Sequence, residues 1–320
     1  MPFSKMLIVG LGNIGTTFGW ALSEAGVDIT HVVRKGKGSF FAEGIKLDVL
    51  DLREDDPSPR LHLYRPKVVE EVSPEDGYDL VMVPTKHYQL AGALSDYRDR
   101  VRPDACFLVF TANWEGPRAV DELLPRVRYT WGYSATNGGP SGDVLCMNLR
   151  KDYRIGKIEG SPDSLLESVI ELFGRAGFEP DLKEDMLGWL LAHHALNAGL
   201  IGAALYAGGQ QELTADPEAL RLMAGAIREA LAVVKARGVD VSGFPDVQPF
   251  LELSDNEIIA LIEDSFLKSP AAQRAMKSGH FKASPEEMKS FYLDVLHTGE
   301  EMGIPMPSLE AMKARIKATP

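Results

Sequence analysis

The sequence predicts an α/β protein, with a doubly wound parallel sheet in the N-terminal half and an all-α domain after it. Short β-branched runs alternate with helical stretches through the first half, which is typical of βαβ units. Apolar residues then recur at spacings of three and four almost to the end, as in amphipathic helices. Because 320 residues exceed the usual size of a single hydrophobic core, we expect two domains, residues 1–163 and 164–320.

Apolar runs bounded by turn residues predict the strands, and the last two, which have no helix between them, are expected to form an antiparallel pair that closes the sheet. The predicted strands are Lys5–Val9, Ile29–Val33, Leu61–Tyr64, Leu80–Val83, Cys106–Phe110, Arg128–Trp131, Val144–Asn148 and Arg154–Ile158. The predicted helices of the second domain are Leu165–Ala176, Asp185–Ala207, Pro217–Ala236, Asp255–Phe266 and Pro285–Glu301. The longest apolar run, Met186–Gly209, contains His193, His194 and Asn197, which are costly in lipid, so we expect a buried core helix rather than a membrane span.

Charge and cysteine content limit the partners. The chain has 34 Lys and Arg against 46 Asp and Glu, a net charge of −12, which repels nucleic acid and anionic membranes, so we expect neither as a partner. Two cysteines and an N-terminus without a cleavable signal pattern fit the cytoplasm. The histidines and cysteines lack the spacing of metal ligands, so no metal site is expected. The apolar C-terminal helices leave room for a homodimer interface.

The first strand leads through a glycine-rich turn into a helix. Gly10-Leu-Gly12-Asn13-Ile14-Gly15 matches G-x-G-x-x-G between an apolar strand and an amphipathic helix. In a Rossmann-type domain the first glycine permits the tight turn, the second lets pyrophosphate approach the backbone, and the third lets the helix pack on the strand. Asn13 and Ile14 open the helix, whose N-terminus attracts phosphate. We therefore predict that these residues bind a dinucleotide, rather than forming a purely structural turn.

The residues after the second strand indicate which dinucleotide. An NAD-binding domain places Asp or Glu here to hold the ribose hydroxyls, whereas this chain has Arg34-Lys35-Gly36-Lys37. A guanidinium binds a 2′-phosphate bidentately and stacks on adenine. We therefore predict NADP(H) as the cofactor, bound by Arg34 with Lys35 or Lys37 assisting. The alternative is a solvated basic turn.

Two more polar loops follow strands whose carboxyl ends face the expected cofactor crevice. Residues 84–89 follow the fourth strand and contain Lys86 and Gln89, and residues 111–116 follow the fifth and contain Asn113. Position alone is equally consistent with polar loop residues that contact no ligand.

The chain resembles the ketopantoate reductase family over nearly its whole length. The residues that carry the resemblance are the glycine loop with Arg34, the Thr85-Lys86…Gln89 turn, Asn113, Glu287, and the C-terminal Gly303-Ile304-Pro305-Met306-Pro307. The resemblance implies a reductase that passes hydride from NADPH to the keto group of a small 2-oxo acid in a cleft between the domains.

The same resemblance implies a role for each matching residue. Arg34, Lys86 and Gln89 would lie at the adenosine end of the cofactor. Asn113 and Glu287 would serve the nicotinamide and substrate end. The long helix would supply groups that bind substrate, and Asn197 matches an asparagine of that helix.

The long helix departs from the family pattern. An ungapped alignment through Asn197 places Trp189 at the family's catalytic lysine and His193 at a second asparagine. Reducing a carbonyl requires a proton donor beside a developing alkoxide, which an imidazolium can be and an indole cannot readily be. We therefore take His193, one turn beyond Trp189, as the candidate acid; the alternative is a histidine hydrogen-bonded within the core. Trp189 would line a pocket for a substrate bulkier than ketopantoate.

Two hypotheses from different classes remain. The first is an NADPH-dependent carbonyl reductase with a changed substrate pocket, which predicts turnover. The second is a catalytically silent NADP(H)-binding protein that senses or sequesters the nucleotide, motivated by the missing lysine. Ala275 is a further departure, because it lies near the family's substrate-binding serine, which Ser269 or Ser278 can replace if a loop has shifted.

Overall fold

The computed structural model describes residues 3–277 and 284–317. It divides into two compact units, Met1–Leu187 and Gly188–Pro320. The first has a mixed, mainly parallel sheet with helices, and the described part of the second is helical, which confirms the predicted fold class. We expected the second domain to begin at residue 164. The boundary lies later because the strand Glu179–Lys183 pairs with the sheet of the first unit.

The strands of the first unit are β1 (Lys5–Val9), β2 (Asp28–Val32), β3 (Ile45–Asp51), β4 (Pro59–Tyr64), β5 (Val68–Val69), β6 (Leu80–Val83), β7 (Cys106–Phe110), β8 (Tyr129–Ser134), β9 (Asn137–Ser141), β10 (Val144–Leu149), β11 (Asp152–Gly156) and β12 (Glu179–Lys183). Eight of them form the main sheet in the order β12-β11-β8-β7-β6-β1-β2-β5. The run from β8 to β5 is parallel, and β11 joins it antiparallel to β8. The strand order reverses beside β1, so the carboxyl ends of β1 and β6 flank the crevice where doubly wound sheets bind ligands.

A second sheet has the order β4-β3-β10-β9. Two expectations were wrong here. The run Leu61–Tyr64 belongs to β4 of this sheet and not to the main one. The runs Val144–Asn148 and Arg154–Ile158 do not pair with each other, because β10 pairs in parallel with β3, far earlier in the chain, whereas β11 pairs with β8.

The helices of the first unit are α1 (Asn13–Glu24), α2 (Leu90–Tyr97), α3 (Arg118–Asp121) and α4 (Asp163–Arg175). Phe18 of α1 packs on Phe110, with ring centroids 5.1 Å apart, and on Phe178 at 4.9 Å. Phe173 of α4 lies 4.8 Å from the ring of Tyr153 in β11. This aromatic cluster buries α4 against the same core as α1, and so places residues 163–175 in the first unit.

The helices that follow are α5 (Met186–Ala207), α6 (Gln210–Leu213), α7 (Pro217–Ala236), α8 (Gln248–Glu252), α9 (Asp255–Ile262), α10 (Pro270–Lys277), α11 (Pro285–Met302) and α12 (Pro307–Lys317). By length and composition α5 is the one described helix that could cross a membrane, and 61% of that apolar window is buried inside the protein. A Cβ on Gly199 would lie 2.8 Å from the backbone nitrogen of Ile227, so α5 and α7 approach closely there. This burial fits the predicted core helix.

The C-terminal Gly-Ile-Pro-Met-Pro segment joins α11 to α12. Gly303 ends α11 with a φ of +67°, which favours glycine. Pro307 opens α12, and the carboxylate of Glu229 in α7 accepts hydrogen bonds from the backbone N–H groups of Ser308 and Leu309, both at 2.9 Å. Glu229 therefore caps the first turn of α12 and ties it to the central helix of the second unit.

A buried histidine lies beneath the first glycine of the loop. His31 of β2 is fully buried, with Nδ1 3.0 Å from the carbonyl oxygen of Gly10 and Nε2 2.9 Å from the hydroxyl of Tyr64. Burial lowers the pKa of His31 from 6.5 to about 4, although the hydrogen bond to Gly10 acts in the opposite direction. The ring is therefore neutral near pH 7.

We expect His31 to make unfolding depend on pH. Between pH 6.5 and about 4 the unfolded chain takes up a proton on this ring that the folded protein does not. The stabilising contribution is complete above pH 6.5 and is lost as pH falls to about 4, a change of about 3 kcal/mol. In urea titrations across this range, the free energy of unfolding should fall less for His31→Asn than for the wild type as the pH is lowered. Parallel curves would contradict the expected pKa.

Tyr153 tests the cost of a buried hydroxyl. Its side chain is fully buried, and its hydroxyl has no hydrogen-bond partner among the described residues. Tyr153→Phe should therefore raise the free energy of unfolding by about 1 kcal/mol in urea titrations. Tyr129 is the control, because it is equally buried and its hydroxyl donates to Asp121 at 2.6 Å. Tyr129→Phe should lower the same quantity by about 2 kcal/mol, and a loss in both variants would refute the assignment.

Candidate functional site

The glycine loop follows β1, and its three glycines are required for different reasons. Gly10 has a φ of +88°, which favours glycine. A Cβ on Gly15 would lie 3.2 Å from the Gly10 carbonyl oxygen and 3.3 Å from the side chains of Ile8 and Pro84. Nothing lies within 4 Å of a Cβ built on Gly12, so packing within the protein does not explain this glycine. A ligand that approached the backbone there would explain it.

The helix α1 begins directly after this loop. Gly12 is its exposed N-cap residue, and its first turn contains no acidic side chain. The positive end of the helix dipole is therefore suited to an external anion. Asn13 and Ile14 are half-buried, and the Asn13 amide donates to the carbonyl of Gly138 in β9 at 3.3 Å. Asn13 therefore also links the loop to the second sheet.

The turn after β2 exposes the basic residues predicted to bind a 2′-phosphate. Arg34, Lys35 and Lys37 are all exposed. The carboxylate of Glu70 accepts hydrogen bonds from the backbone N–H groups of Gly36 at 2.9 Å and Gly38 at 2.7 Å. These bonds, the Gly36 bond foremost, lower the pKa of Glu70. Glu70 thus holds the backbone of the turn and leaves the basic side chains at the surface.

The turn after β6 carries Lys86 and Gln89. It is tightened by the Gln89 backbone N–H, which donates to the Lys86 carbonyl at 2.8 Å. Lys86 is half-buried, with its ammonium 5.9 Å from the centroid of the exposed Tyr88 ring, and Gln89 is exposed. The turn presents a cation, an amide and an aromatic face together, groups that suit an adenosine moiety.

Asn113 follows β7 and is buried. Its amide group donates to the carbonyl of Gly116, and its side-chain oxygen accepts the backbone N–H of Glu115 at 3.1 Å. The loop is held from below by Trp131, whose indole N–H donates to the carbonyl of Thr111 at 2.8 Å. Both hydrogen bonds of the Asn113 side chain lie within its own loop and stabilise the loop backbone. The predicted role of Asn113 at the nicotinamide end did not include these bonds.

Trp189 occupies the inner face of α5 where the family resemblance placed a lysine. The side chain is buried, and its indole N–H donates to the carboxylate of Asp246 at 2.8 Å. The ring of His193, one turn further along α5, stacks on the indole with centroids 4.8 Å apart and planes 14° apart. His193 is half-buried, so part of its surface remains accessible within the second unit.

The neighbouring His194 has a different environment. It is fully buried, lies 4.6 Å from the ring of Phe291, and has Nε2 3.4 Å from a carboxylate oxygen of Asp294, both residues of α11. These contacts tie α5 to α11. The two histidines therefore point to different faces, as expected from their adjacent positions, and His193 is the more accessible of the two.

The remaining predicted residues lie on α5, α10 and α11. Asn197 is half-buried one turn beyond His193, and Glu287 is half-buried in the first turn of α11. Ser269 accepts the backbone N–H of Ala272 at 3.2 Å, as a residue at a helix start does. Ala275 is half-buried in α10, and Ser278 lies outside the described residues.

The structure thus assembles two groups of predicted residues. In the first unit the glycine loop, Arg34, Lys86 and Asn113 follow the carboxyl ends of β1, β2, β6 and β7. In the second unit His193 and Asn197 share one face of α5.

Sequence reasoning gave no role to Glu70, Tyr88 or Asp246. Tyr88 was detectable as an aromatic residue within the predicted turn. Glu70 and Asp246 had no local signal, because their partners Gly36 and Trp189 are 34 and 57 residues away in the chain. Only the tertiary fold brings these carboxylates to the loops and helices that they hold.

Comparison with known proteins identifies the family of the chain. Residues 6–146 match the family model described as ketopantoate reductase PanE/ApbA, and residues 185–319 match the model of the C-terminal part of the same family. A 2-dehydropantoate 2-reductase from Pyrococcus horikoshii is 27% identical over 211 residues, 63% of this chain and 64% of that protein. One from Pyrococcus abyssi is 25% identical over 61% of this chain and 62% of that protein. The alignments thus span less than two thirds of these relatives.

Solved structures show the same fold. The 2-dehydropantoate 2-reductase of Geobacter metallireducens GS-15 superposes with a TM-score of 0.72 at 19% identity, over 99% of this chain and 100% of that chain. D-mandelate dehydrogenase, in a ternary structure with NADH and anilino(oxo)acetate, gives a TM-score of 0.75 at 15% identity, over 98% and 97%. With both halves matched by the family models, the chain belongs to the ketopantoate reductase family.

Proposed function

We propose that this protein is an NADPH-dependent reductase that transfers hydride to the keto group of a small 2-oxo acid. The observation that carries the proposal is the glycine loop with an exposed basic turn and no acid at the end of the adjoining strand. Gly12 leaves open space where pyrophosphate would approach, and Arg34 is exposed two residues after the end of β2. Membership of the ketopantoate reductase family supports the reaction class.

The residues of the first unit fit this cofactor. The loop backbone and the N-terminus of α1 would bind pyrophosphate. Arg34 would bind the 2′-phosphate, and Lys86 with Gln89 would lie at the adenosine end beside Tyr88. Bound NADPH would supply the hydride. Asn113 would serve the nicotinamide end through its second amide N–H or the second lone pair of its side-chain oxygen, beyond the two hydrogen bonds that it makes within its loop.

The second unit would supply the proton. Reduction of a keto group places negative charge on its oxygen, which must be stabilised and protonated. We propose that His193 donates this proton, because imidazole titrates near neutral pH and His193 is accessible. The hydrogen bond from Trp189 to Asp246 holds the indole on which His193 stacks, and so orients the imidazole. His194 is committed to the contact with Asp294.

We base the proposed substrate class on the family and on the residues that would contact the substrate. Asn197 and Glu287 would bind or position the 2-oxo acid, as the family resemblance implies. Trp189 replaces the expected lysine with an aromatic ring, but this ring is buried and stacked against His193, so it offers almost no surface to a substrate and does not line a pocket as expected. D-mandelate dehydrogenase, which shares this fold, has been solved with anilino(oxo)acetate, an oxoacetate that carries an aromatic anilino group. Aromatic 2-oxo acids therefore head the substrates to be assayed.

Gly12→Ala separates ligand approach from internal packing. Because no atom beyond the neighbouring residues lies within 4 Å of the new methyl group, and only the preference for glycine over alanine at an N-cap is lost, the free energy of unfolding should fall by no more than about 1 kcal/mol. NADPH should bind more weakly by about tenfold or more, since the methyl group would occupy the approach of pyrophosphate. Gly174→Ala in α4 is the matched control, with equally open surroundings, and should leave the Kd unchanged. An unchanged Kd in both variants would exclude this loop as the binding site.

Arg34→Ala tests the cofactor preference. Loss of a charge-assisted hydrogen bond to phosphate should weaken NADPH binding by about 10-fold to 100-fold, while NADH binding changes by less than about threefold. The control is Arg60→Ala on β4, which removes an exposed guanidinium that pairs with Glu54. Fluorescence titration gives both dissociation constants. Equal losses for the two dinucleotides would rule out a 2′-phosphate contact at Arg34.

His193→Ala tests the proton donor. With NADPH oxidation followed by absorbance over a panel of 2-oxo acids, diketones and aromatic ketones, kcat should fall by about 100-fold or more while NADPH affinity is retained. His297→Ala, at an exposed position of α11, is the control and should keep wild-type kcat. Undiminished turnover in His193→Ala would remove His193 from this role. Tight NADPH binding without oxidation of any compound by the wild type would instead indicate a silent binding protein.

A further inference from the structure

A chain of hydrogen bonds runs beneath the glycine loop and involves no predicted site residue except Gly10. It consists of the hydroxyl of Ser23, the hydroxyl of Tyr64 at 3.5 Å, the ring of His31, and the Gly10 carbonyl. His31 is fully buried and Tyr64 almost so. The chain connects α1, β4 and β2 to the first glycine of the loop.

The hydrogen-bond chemistry fixes the tautomer of His31. A carbonyl oxygen only accepts, so Nδ1 must carry the proton that is donated to Gly10. The neutral ring then has a lone pair on Nε2, which accepts the hydroxyl proton of Tyr64. The Tyr64 oxygen remains free to accept from Ser23. Each member thus donates towards Gly10, and Tyr64 selects the tautomer that the carbonyl needs.

The Gly10 carbonyl determines where the next backbone N–H points. A trans peptide unit is planar, with its C=O and N–H groups directed oppositely. With the Gly10 oxygen turned towards His31 in the protein interior, the N–H of Leu11 in the same peptide unit points away from His31, out of that interior. The same oxygen lies against Gly15, where a Cβ would be 3.2 Å away. One buried hydrogen bond therefore orients the backbone of the loop.

The space around His31 is shaped to the ring. Gly19 of α1 faces it, and a Cβ there would lie 2.6 Å from Cε1 of His31 and 3.1 Å from the hydroxyl of Tyr64. The helix thus has a glycine where the imidazole needs room. A buried, neutral, doubly hydrogen-bonded histidine has little freedom to rotate.

We propose that His31 is a positioning residue for the dinucleotide, which sets the orientation of the Gly10 peptide and so presents the loop N–H groups to pyrophosphate. This inference rests on the proposed function, because it assumes that the glycine loop binds NADPH. Because His31 is fully buried, it would act through Gly10 rather than by contact with the cofactor. Tyr64 acts one step further back, through the tautomer.

Two variants of His31 differ in whether they keep an N–H donor for the Gly10 carbonyl. The Asn side chain places an N–H near the position of Nδ1, whereas Leu offers similar bulk and no donor. His31→Leu should raise the Kd and KM for NADPH by about tenfold, the size of one lost hydrogen bond, with kcat at saturating NADPH unchanged. His31→Asn should restore both constants to within about threefold of wild type. Equal Kd values in the two variants would mean that His31 only fills space.

A measurement on the wild-type protein covers the case in which His31→Leu does not fold. Nitrogen-15 NMR of the histidine rings distinguishes Nδ1–H from Nε2–H tautomers, and His31 should carry its proton on Nδ1. Tyr64→Phe should reduce this preference. An Nε2–H tautomer in the wild type would overturn the proposal. If the wild type binds no dinucleotide at all, the proposed function fails. If the wild type and all the variants bind NADPH equally well, the proposed function stands and only the positioning role of His31 fails.

Discussion

The close approach of the Gly10 carbonyl to its neighbours is the constraint on which the glycine loop of the first unit depends. This one oxygen accepts from His31 below and lies against Gly15 at the start of α1. The chain turns at a positive φ at Gly10, and α1 lies close to β1 at Gly15, where a Cβ would be 3.3 Å from the side chain of Ile8. Gly12 is the exception, because a Cβ there would contact no other part of the described protein, and this difference separates the glycines required by packing or backbone conformation from the one that we propose faces pyrophosphate.

Carboxylates from distant parts of the chain hold other segments in place through hydrogen bonds. Glu70 holds the basic turn through two backbone N–H groups, Asp246 holds Trp189, and Glu229 caps α12. In each case an acidic side chain orders a segment without standing among the groups proposed to contact ligand. The net negative charge of the protein is thus compatible with a local site for an anionic cofactor.

Local patterns predicted much of the fold, because the glycine loop, β1, β6, β7 and most of the long helices depend on periodicity and turn residues within one segment. Partners of strands were not predictable in the same way. The pairing of β10 with β3, and the inclusion of β12 in the first unit, depend on contacts across many intervening residues. The candidate site divides likewise: Arg34 and Lys86 follow from their positions after strands, whereas the contacts of His31, Glu70 and Asp246 exist only in the folded chain.

The central claim is that the first unit binds NADPH in preference to NADH, although a structural relative of this fold has been solved with NADH. The most direct test is the pair of dissociation constants of the wild-type protein for the two reduced dinucleotides, measured by fluorescence titration at one ionic strength. The exposed basic turn at Arg34 predicts that NADPH binds more tightly by about tenfold or more. NADH binding as tightly as NADPH, or more tightly, would contradict the account.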